Sequence, residues 1–331
     1  MRFFNRNIYA RFMKLMCKYR DIQSQTALRR ILYPAISVAL LPVISLMIPS
    51  QALGLTITDD TDQQIRLEKP AQRIIALYGG YNEIIAALGI EDRLIARTKA
   101  DHIPESITSR PAIGTHMRPN VEMIMSLKPD LILQNAGRRE AMTPVEQLKK
   151  HGLNVAVFGP ETFEELFAVV TRIGMLTGTE NQAESLVKQM KEKLIKIFEK
   201  SSGIANKPKI FFEARYPNLL AAGQASIVND IIKYAGARNC VAANKKFARV
   251  NEESLLSWEP DYYLVQVGPM NRNPGKLTDR PHYKNLKAVI KDRYLEVDEQ
   301  IFSRPGPRSV EAVERLSRFI YPELWESHQG N

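Results

Sequence analysis

The residues of this chain that can do chemistry are arginines and aromatics rather than paired nucleophiles and bases. Its five histidines, His102, His116, His151, His282 and His328, are scattered, and none pairs with another at the spacing that puts two imidazoles on one helix face. The chain contains no Gly-x-Ser-x-Gly, no Gly-x-x-x-x-Gly-Lys, no Gly-x-Gly-x-x-Gly behind a strand and no His-Glu-x-x-His. Acyl transfer at a nucleophile elbow, phosphate cradling by a glycine loop and zinc-dependent hydrolysis all lack their residues. Instead, the candidates stand in turn-bearing segments that follow short apolar runs. They are Tyr78 and Tyr81, His116, Met117 and Arg118, Asn135 and Arg138, Arg215 and Tyr216, Phe247, Met270 and Arg272, Phe302 and Arg304. A guanidinium forks onto carboxylate or phosphate oxygens, and aromatic rings cover apolar faces. Such a set suits the binding of an anionic, partly apolar small molecule. The imidazole of His116 can ligate a transition metal, as can the phenols of Tyr78 and Tyr216; the plain alternative for His116 is a hydrogen-bonding loop residue.

The elements that must position these residues read as α/β from Arg73 onward. Ile74–Leu77 is a buried strand, Tyr78–Gly80 a turn, and Asn82–Leu88 a helix closed by Gly89. Leu131–Leu133 and Val155–Phe158 are further short apolar strands, with helices such as Val121–Leu127 and Pro144–His151 between them. The alternation predicts a mostly parallel sheet covered on both faces. Thr162 with Glu165 is a capping-box pattern opening one helix, and Thr179 with Gln182 opens a second, longer one. Ala183, Leu186, Val187, Met190, Leu194, Ile197 and Phe198 form a single stripe along the second helix, which stops at Ser201-Ser202-Gly203. Some twenty residues at 1.5 Å each give a rod of roughly 30 Å. After Pro208 the α/β pattern restarts, with strands at Ile210–Phe212, Tyr263–Val265 and Arg293–Val297 and helices at Ile227–Tyr234 and Val310–Phe319. The predicted fold class is therefore α/β, two Rossmann-like lobes with mostly parallel sheets joined by one long α-helix. The boundaries expected are a leader over 1–52, an N-terminal lobe over 53–175, a connecting helix over 176–203 and a C-terminal lobe over 204–331.

An internal repeat supports two related lobes. Glu122, Ser126, Pro129 and Asp130 match Glu253, Ser257, Pro260 and Asp261 without a gap, each pair 131 residues apart. Each copy reads as an acid-opened helix, then Pro-Asp, then an apolar strand. Duplicated lobes on either side of a strut predict a crevice between them, lined by loops at the carboxyl ends of the strands. Those loops carry the candidates named above.

The formal charge of +10 belongs mostly to the leader: residues 1–30 hold eight Lys or Arg against Asp21 alone, leaving about +3 for the rest. The charge is thus no argument for nucleic acid as a partner. The apolar run Ile31–Ile48 and the small-residue exit at Ser50-Gln51-Ala52 complete the pattern of a secretory signal, with an uncleaved anchor as the alternative. Cys17 precedes that run, so no lipobox cysteine follows it, and Cys240 is alone beyond it, so no intramolecular disulfide is expected.

The chain resembles the solute-binding proteins of ABC importers for iron-siderophore, haem and vitamin B12, from about Ile65 to Pro322. The motifs that carry the likeness are Arg73–Leu77, Pro119–Glu122 with Leu127–Ile132, and Ser303-Arg304-Pro305-Gly306-Pro307-Arg308. The resemblance implies a periplasmic, monomeric binder without intrinsic cofactor, whose cargo is a metal chelate: ferric siderophore, corrinoid or haem. It implies a permease dimer with its ATPase subunits as partner, docked through one acid per lobe, at Glu122 and Glu253. The alternative for these acids is interaction with their own helix dipoles. Arg304 matches a ligand-contacting arginine of the B12 binders, and Arg308 is expected to hold the last helix in place. Where those binders carry aromatic residues, this chain has His116, Asn135 and Leu220, with Phe247 alone staying aromatic, a departure from a cobalamin site. Two other readings stand beside this one. A tetrapyrrole metal chelatase would bring His116 together with Glu83 or Glu213, and a free-metal binder would need several histidines and carboxylates in the crevice loops. A continuous helical strut predicts little hinge motion.

Overall fold

A computed structural model describes residues 54–137 and 139–326, so the leader, Arg138 and His328 lie outside the described residues. A hairpin of β1 (Leu55–Thr58) and β2 (Gln64–Leu67) opens the described chain. β3 (Ile74–Ala76), α1 (Gly79–Ala87), β4 (Leu94–Ala96), α2 (Val121–Ser126), β5 (Leu131–Asn135), α3 (Arg139–Lys150) and β6 (Val155–Phe158) follow. Their strands make an all-parallel sheet in the order β4-β3-β5-β6. Helix α3 begins five residues before Pro144, which sits inside it. Then come α4 (Phe163–Thr177) and the 21-residue α5 (Glu180–Lys200).

The second lobe holds β7 (Lys209–Arg215), β8 (Leu220–Ala222), α6 (Ile227–Tyr234), β9 (Arg238–Asn239), β10 (Phe247–Arg249), α7 (Glu252–Trp258) and β11 (Tyr262–Val267). It closes with α8 (Lys287–Ile290), β12 (Tyr294–Asp298), α9 (Glu299–Phe302) and α10 (Ser309–Ile320). Its sheet runs β10-β8-β7-β11-β12 with β9 beside β7. β7, β9, β11 and β12 are parallel, and β8 and β10 form the antiparallel edge. The fold is α/β, two lobes with mostly parallel sheets joined by one long helix.

Side-chain alternation sorts each strand between two cores, because successive residues of a strand point to opposite faces. Ile74, Ala76, Leu131, Leu133, Ala156 and Phe158 face inward, while Ile75, Leu77, Ile132, Val155 and Val157 pack beneath the outer helices. In the second sheet Ile210, Phe212 and Leu264 face inward, and Phe211, Tyr263 and Val265 outward. Both inward faces belong to one continuous core that includes Ala183, Met190, Leu194 and Ile197 of α5. The strut therefore shares its apolar stripe with both lobes.

The caps of the two central helices differ from one another. Thr162 and Glu165 form a full capping box on α4, which ends at Gly178 in the left-handed conformation at φ 68°. Thr179 makes no side-chain cap on α5; its hydroxyl instead meets that of Thr177 at 2.8 Å, so the second expected capping box is corrected. The tight α4–α5 corner brings the two hydroxyls together before the cap geometry can form.

Candidate functional site

The carboxyl-end loops of the two sheets meet in a short zone of close backbone approach. A Cβ on Gly80, at the start of α1, would stand 2.1 Å from the Pro305 carbonyl oxygen, and one on Gly79 would stand 1.9 Å from Arg304 Nη1. At Gly80, where the obstacle is backbone, only glycine fits. Two ion pairs flank this contact. Arg308 donates to both carboxylate oxygens of Glu83, at 2.7 and 3.0 Å, joining α10 to α1. Arg308 thus fixes the start of the last helix, as expected, and does so through a partner in the other lobe, 225 residues away. Arg304 Nη1 donates to Asp101 Oδ1 at 3.0 Å. Asp101 is buried, and its other oxygen accepts from Thr98 Oγ1 at 2.7 Å and Asn82 Nδ2 at 3.3 Å. Asp101 carries no motif, and only the fold brings it to Arg304.

Around Arg304 the candidates converge. Its guanidinium lies 5.5 Å from the centre of the Tyr78 ring, and that ring meets His116 edge-on at 6.2 Å. His116 and Met117 form the tip of a tight turn closed by hydrogen bonds between Thr115 and Arg118. The turn is opened by Gly114 at φ 98° and tied down by Gln134 Nε2 donating to the His116 carbonyl at 3.0 Å. Protein crowded around the imidazole, then the positive charge of Arg304, hold its pKa below the usual histidine value of 6.5. His116 is therefore neutral at pH 7, able to accept a hydrogen bond or a metal. Burial pushes the Tyr78 phenol far above its ordinary value, against the opposing charge of Arg304, so in the free protein it is a hydrogen-bond donor.

Two candidates leave the lining. Tyr81 has no exposed surface, and its hydroxyl donates to the Phe158 carbonyl at 2.7 Å with Asn135 Oδ1 at 3.2 Å. Phe302 is 2% exposed and stacks on Phe212 at 6.4 Å. Both are core residues because the inward faces of the strands beside them need large apolar cover. Arg138 lies outside the described residues.

On the C-terminal side, a buried network behind the lining sets the loops. Glu213, fully buried in β7, accepts from Arg280 at 2.5 and 3.0 Å, from Tyr263 at 2.6 Å and from Asn271 at 3.3 Å. Asn271 Oδ1 in turn accepts from the Tyr216 backbone N–H at 3.0 Å, and the Arg280 guanidinium lies 3.8 Å from the centre of the Tyr216 ring. Tyr216 is thus held from two sides, by a network of which the sequence offered Glu213, in another role, but not Arg280 or Asn271. Met270 donates its backbone N–H to Glu299 at 2.7 Å. Arg215 Nε is buried without a hydrogen-bond partner. Phe247 is half-buried against the core, and Arg272 is exposed.

The repeated segments stand in matching settings. From Val121 to Asp130 and from Glu252 to Asp261, the sequence of exposed, half-buried and buried residues is the same position by position. Asn120 caps α2 through the Met123 N–H, and Asn251 caps α7 through the Ser254 N–H. Lys128 and Glu259 take the left-handed conformation at φ 48° and 47°. Asp130 accepts from the Arg73 N–H at 3.0 Å, and Asp261 from the Lys209 N–H at 2.8 Å. Glu122 and Glu253 are both exposed on the first turn of their helices.

The enzymatic alternative loses its carboxylates: Glu83 is engaged by Arg308 and Glu213 by Arg280. Among the described residues no group of three or more His, Cys, Asp or Glu side chains could hold a metal ion, and no helix is long and apolar enough to cross a membrane. A cavity of about 400 Å³ beside Lys207, Asp261 and Tyr321 lies at the amino ends of β7 and β11, opposite the end where parallel sheets bind ligands.

The family described as periplasmic binding protein matches residues 74–301. An uncharacterised ABC transporter substrate-binding lipoprotein of Bacillus subtilis is 29% identical over 282 residues, 84% of this chain and 88% of its own length. A vitamin B12-binding protein of Photorhabdus laumondii is 24% identical over 74% of this chain and 86% of its own. Among solved structures, a possible iron-binding, periplasmic solute-binding protein of Staphylococcus epidermidis is 28% identical at a TM-score of 0.65, over 76% of this chain and 100% of that one.

Proposed function

Because the chain belongs to the periplasmic binding protein family, we propose that it is an exported solute-binding protein that holds a metal chelate between its lobes and hands it to an ABC importer. The observation that carries this reading is the meeting of Tyr78 and His116 of one lobe with Arg304 of the other. A ligand seated there faces a guanidinium for its anionic groups, a phenol that donates, a neutral imidazole that accepts or ligates, and Met117, Met270 and Tyr216 for its apolar faces. Nothing in that set needs to transform the ligand. The lobes assigned are 53–175 and 204–331, linked over 176–203, with 1–52 as the export leader and the periplasm as the destination of a monomer.

The cargo class is a ferric siderophore, a corrinoid or haem. The relatives described as vitamin B12-binding and possible iron-binding proteins support that class. Neutral His116 supports a ligand whose metal has an open axial position. The test is an absorption spectrum of the protein purified from its host, followed by titration of the stripped protein with haemin, cyanocobalamin and ferric citrate. A Soret, corrinoid or charge-transfer band that returns on titration is expected, and failure of all three to bind would remove the chelate reading.

Delivery is assigned to Glu122 and Glu253, exposed on equivalent helices of the two lobes. Two related carboxylates can meet two symmetry-related arginines of a permease dimer at once, favouring orientation and encounter. Glu122→Ala with Glu253→Ala is expected to abolish uptake in a complementation assay while the affinity for the chelate is unchanged. Equal loss of affinity would defeat the separation of the two roles.

A further inference from the structure

Five large apolar side chains stand exposed among the described residues, and two of them are Met125, 36% accessible, and Leu256, 38%. They occupy equivalent positions of the repeat, 131 residues apart, on α2 and α7. Each lies three residues after the acid of its helix, Glu122 or Glu253, and positions three apart share a helix face. Each is followed by an exposed serine, Ser126 or Ser257, whose hydroxyl is turned back onto its own helix at 2.8 Å. The buried neighbours Ile124 and Leu255 supply the core contact of each helix, so the exposed apolar side chain is not needed for packing.

We infer that Met125 and Leu256 are the apolar half of each contact with the permease dimer. The inference rests on the docking role proposed for Glu122 and Glu253. Exposed carboxylates steer and orient an encounter, but in water they hold a complex weakly. A lasting interface needs a desolvated apolar anchor beside them. Here both lobes offer the same pair, a carboxylate with an apolar side chain one turn further on, to a partner that must present a cation beside an apolar depression twice. A two-fold permease dimer does so. A second copy of this chain would set carboxylate against carboxylate, which disfavours it as the occupant.

The experiment uses the full mature protein, immobilised, and the host importer, its permease dimer with ATPase subunits, in lipid nanodiscs. Association and dissociation are followed at several salt concentrations for wild type, Glu122→Gln/Glu253→Gln and Met125→Gln/Leu256→Gln, with Met125→Ala/Leu256→Ala as a second apolar pair. All four proteins are expected to melt alike, since the substituted side chains are exposed. The acid pair is expected to slow association and flatten its salt dependence. Both apolar pairs are expected to speed dissociation roughly tenfold while leaving that salt dependence intact. Unchanged dissociation with the apolar pairs, alongside slowed association with the acid pair, overturns the inference and leaves the docking role standing. No effect from either kind of variant overturns the docking role itself. Wild-type self-association that disappears in Met125→Gln/Leu256→Gln assigns the patch to a second copy and also overturns the inference.

Discussion

Arg304 sits where two demands meet. Its guanidinium is half neutralised by Asp101, yet it also lies beside Tyr78 and its charge reaches His116. A carboxylate or phosphate of a ligand seated there would gain a charge-assisted hydrogen bond worth about 1.5–3 kcal/mol. Arg304→Ala is accordingly expected to weaken chelate binding about ten- to a hundredfold by calorimetry, with Arg304→Lys restoring part of the loss; an unchanged affinity would exclude it from the site. The same cation acts on His116, whose pKa lies below 6.5 through crowding first and Arg304 second. The unfolded chain then binds the proton more readily than the folded one. Stability from the neutral imidazole is complete above pH 6.5 and is lost as the pH falls from there through the folded value. An NMR titration is expected to find His116 below 6.5 in the native protein and shifted upward in Arg304→Gln. No upward shift in the variant would place the cause in crowding alone.

The elements show why some of this was legible in the residues and some was not. Short apolar runs and breaker residues gave the strands, the Thr162–Glu165 spacing gave the cap of α4, and the repeat located α2 and α7, because each is a local pattern. Tyr81 and Phe302 looked like lining because they stand near turns, but which face a side chain takes is decided by strands distant in sequence. Asp101 gave no signal, and Glu83 was read beside His116 rather than Arg308, since the partners of both lie more than 200 residues away. The doublet Gly79-Gly80 was the one clue to a close approach, and it makes the contact testable. Gly80→Ala would push α1 off the Pro305 carbonyl at a cost of about 1–3 kcal/mol. Glu83→Ala would leave Arg308 unpaired at about 3 kcal/mol, discounted somewhat because Arg308 is 23% exposed. Either loss should appear in denaturant unfolding, and wild-type stability in both variants would mean that the lobes do not rely on this contact.

At the scale of the whole molecule, the decisive feature is that the inward faces of both sheets and the stripe of α5 form one core. Lobes with separate cores joined by a strand can rotate and unfold independently, whereas a shared core couples them. Leu194, 2% exposed near the middle of α5, sits within that core. Leu194→Ala removes three carbons from it and is expected to cost about 2–5 kcal/mol. If the core is one cooperative unit, native-state hydrogen exchange will accelerate by the same factor in β5 of the first lobe and β11 of the second, and the protein will keep a single unfolding transition. If the strut is only a tether, protection will fall in the lobe nearer Leu194 while the other lobe keeps its own. The coupled outcome would mean that moving the lobes apart requires breaking a core that both halves share.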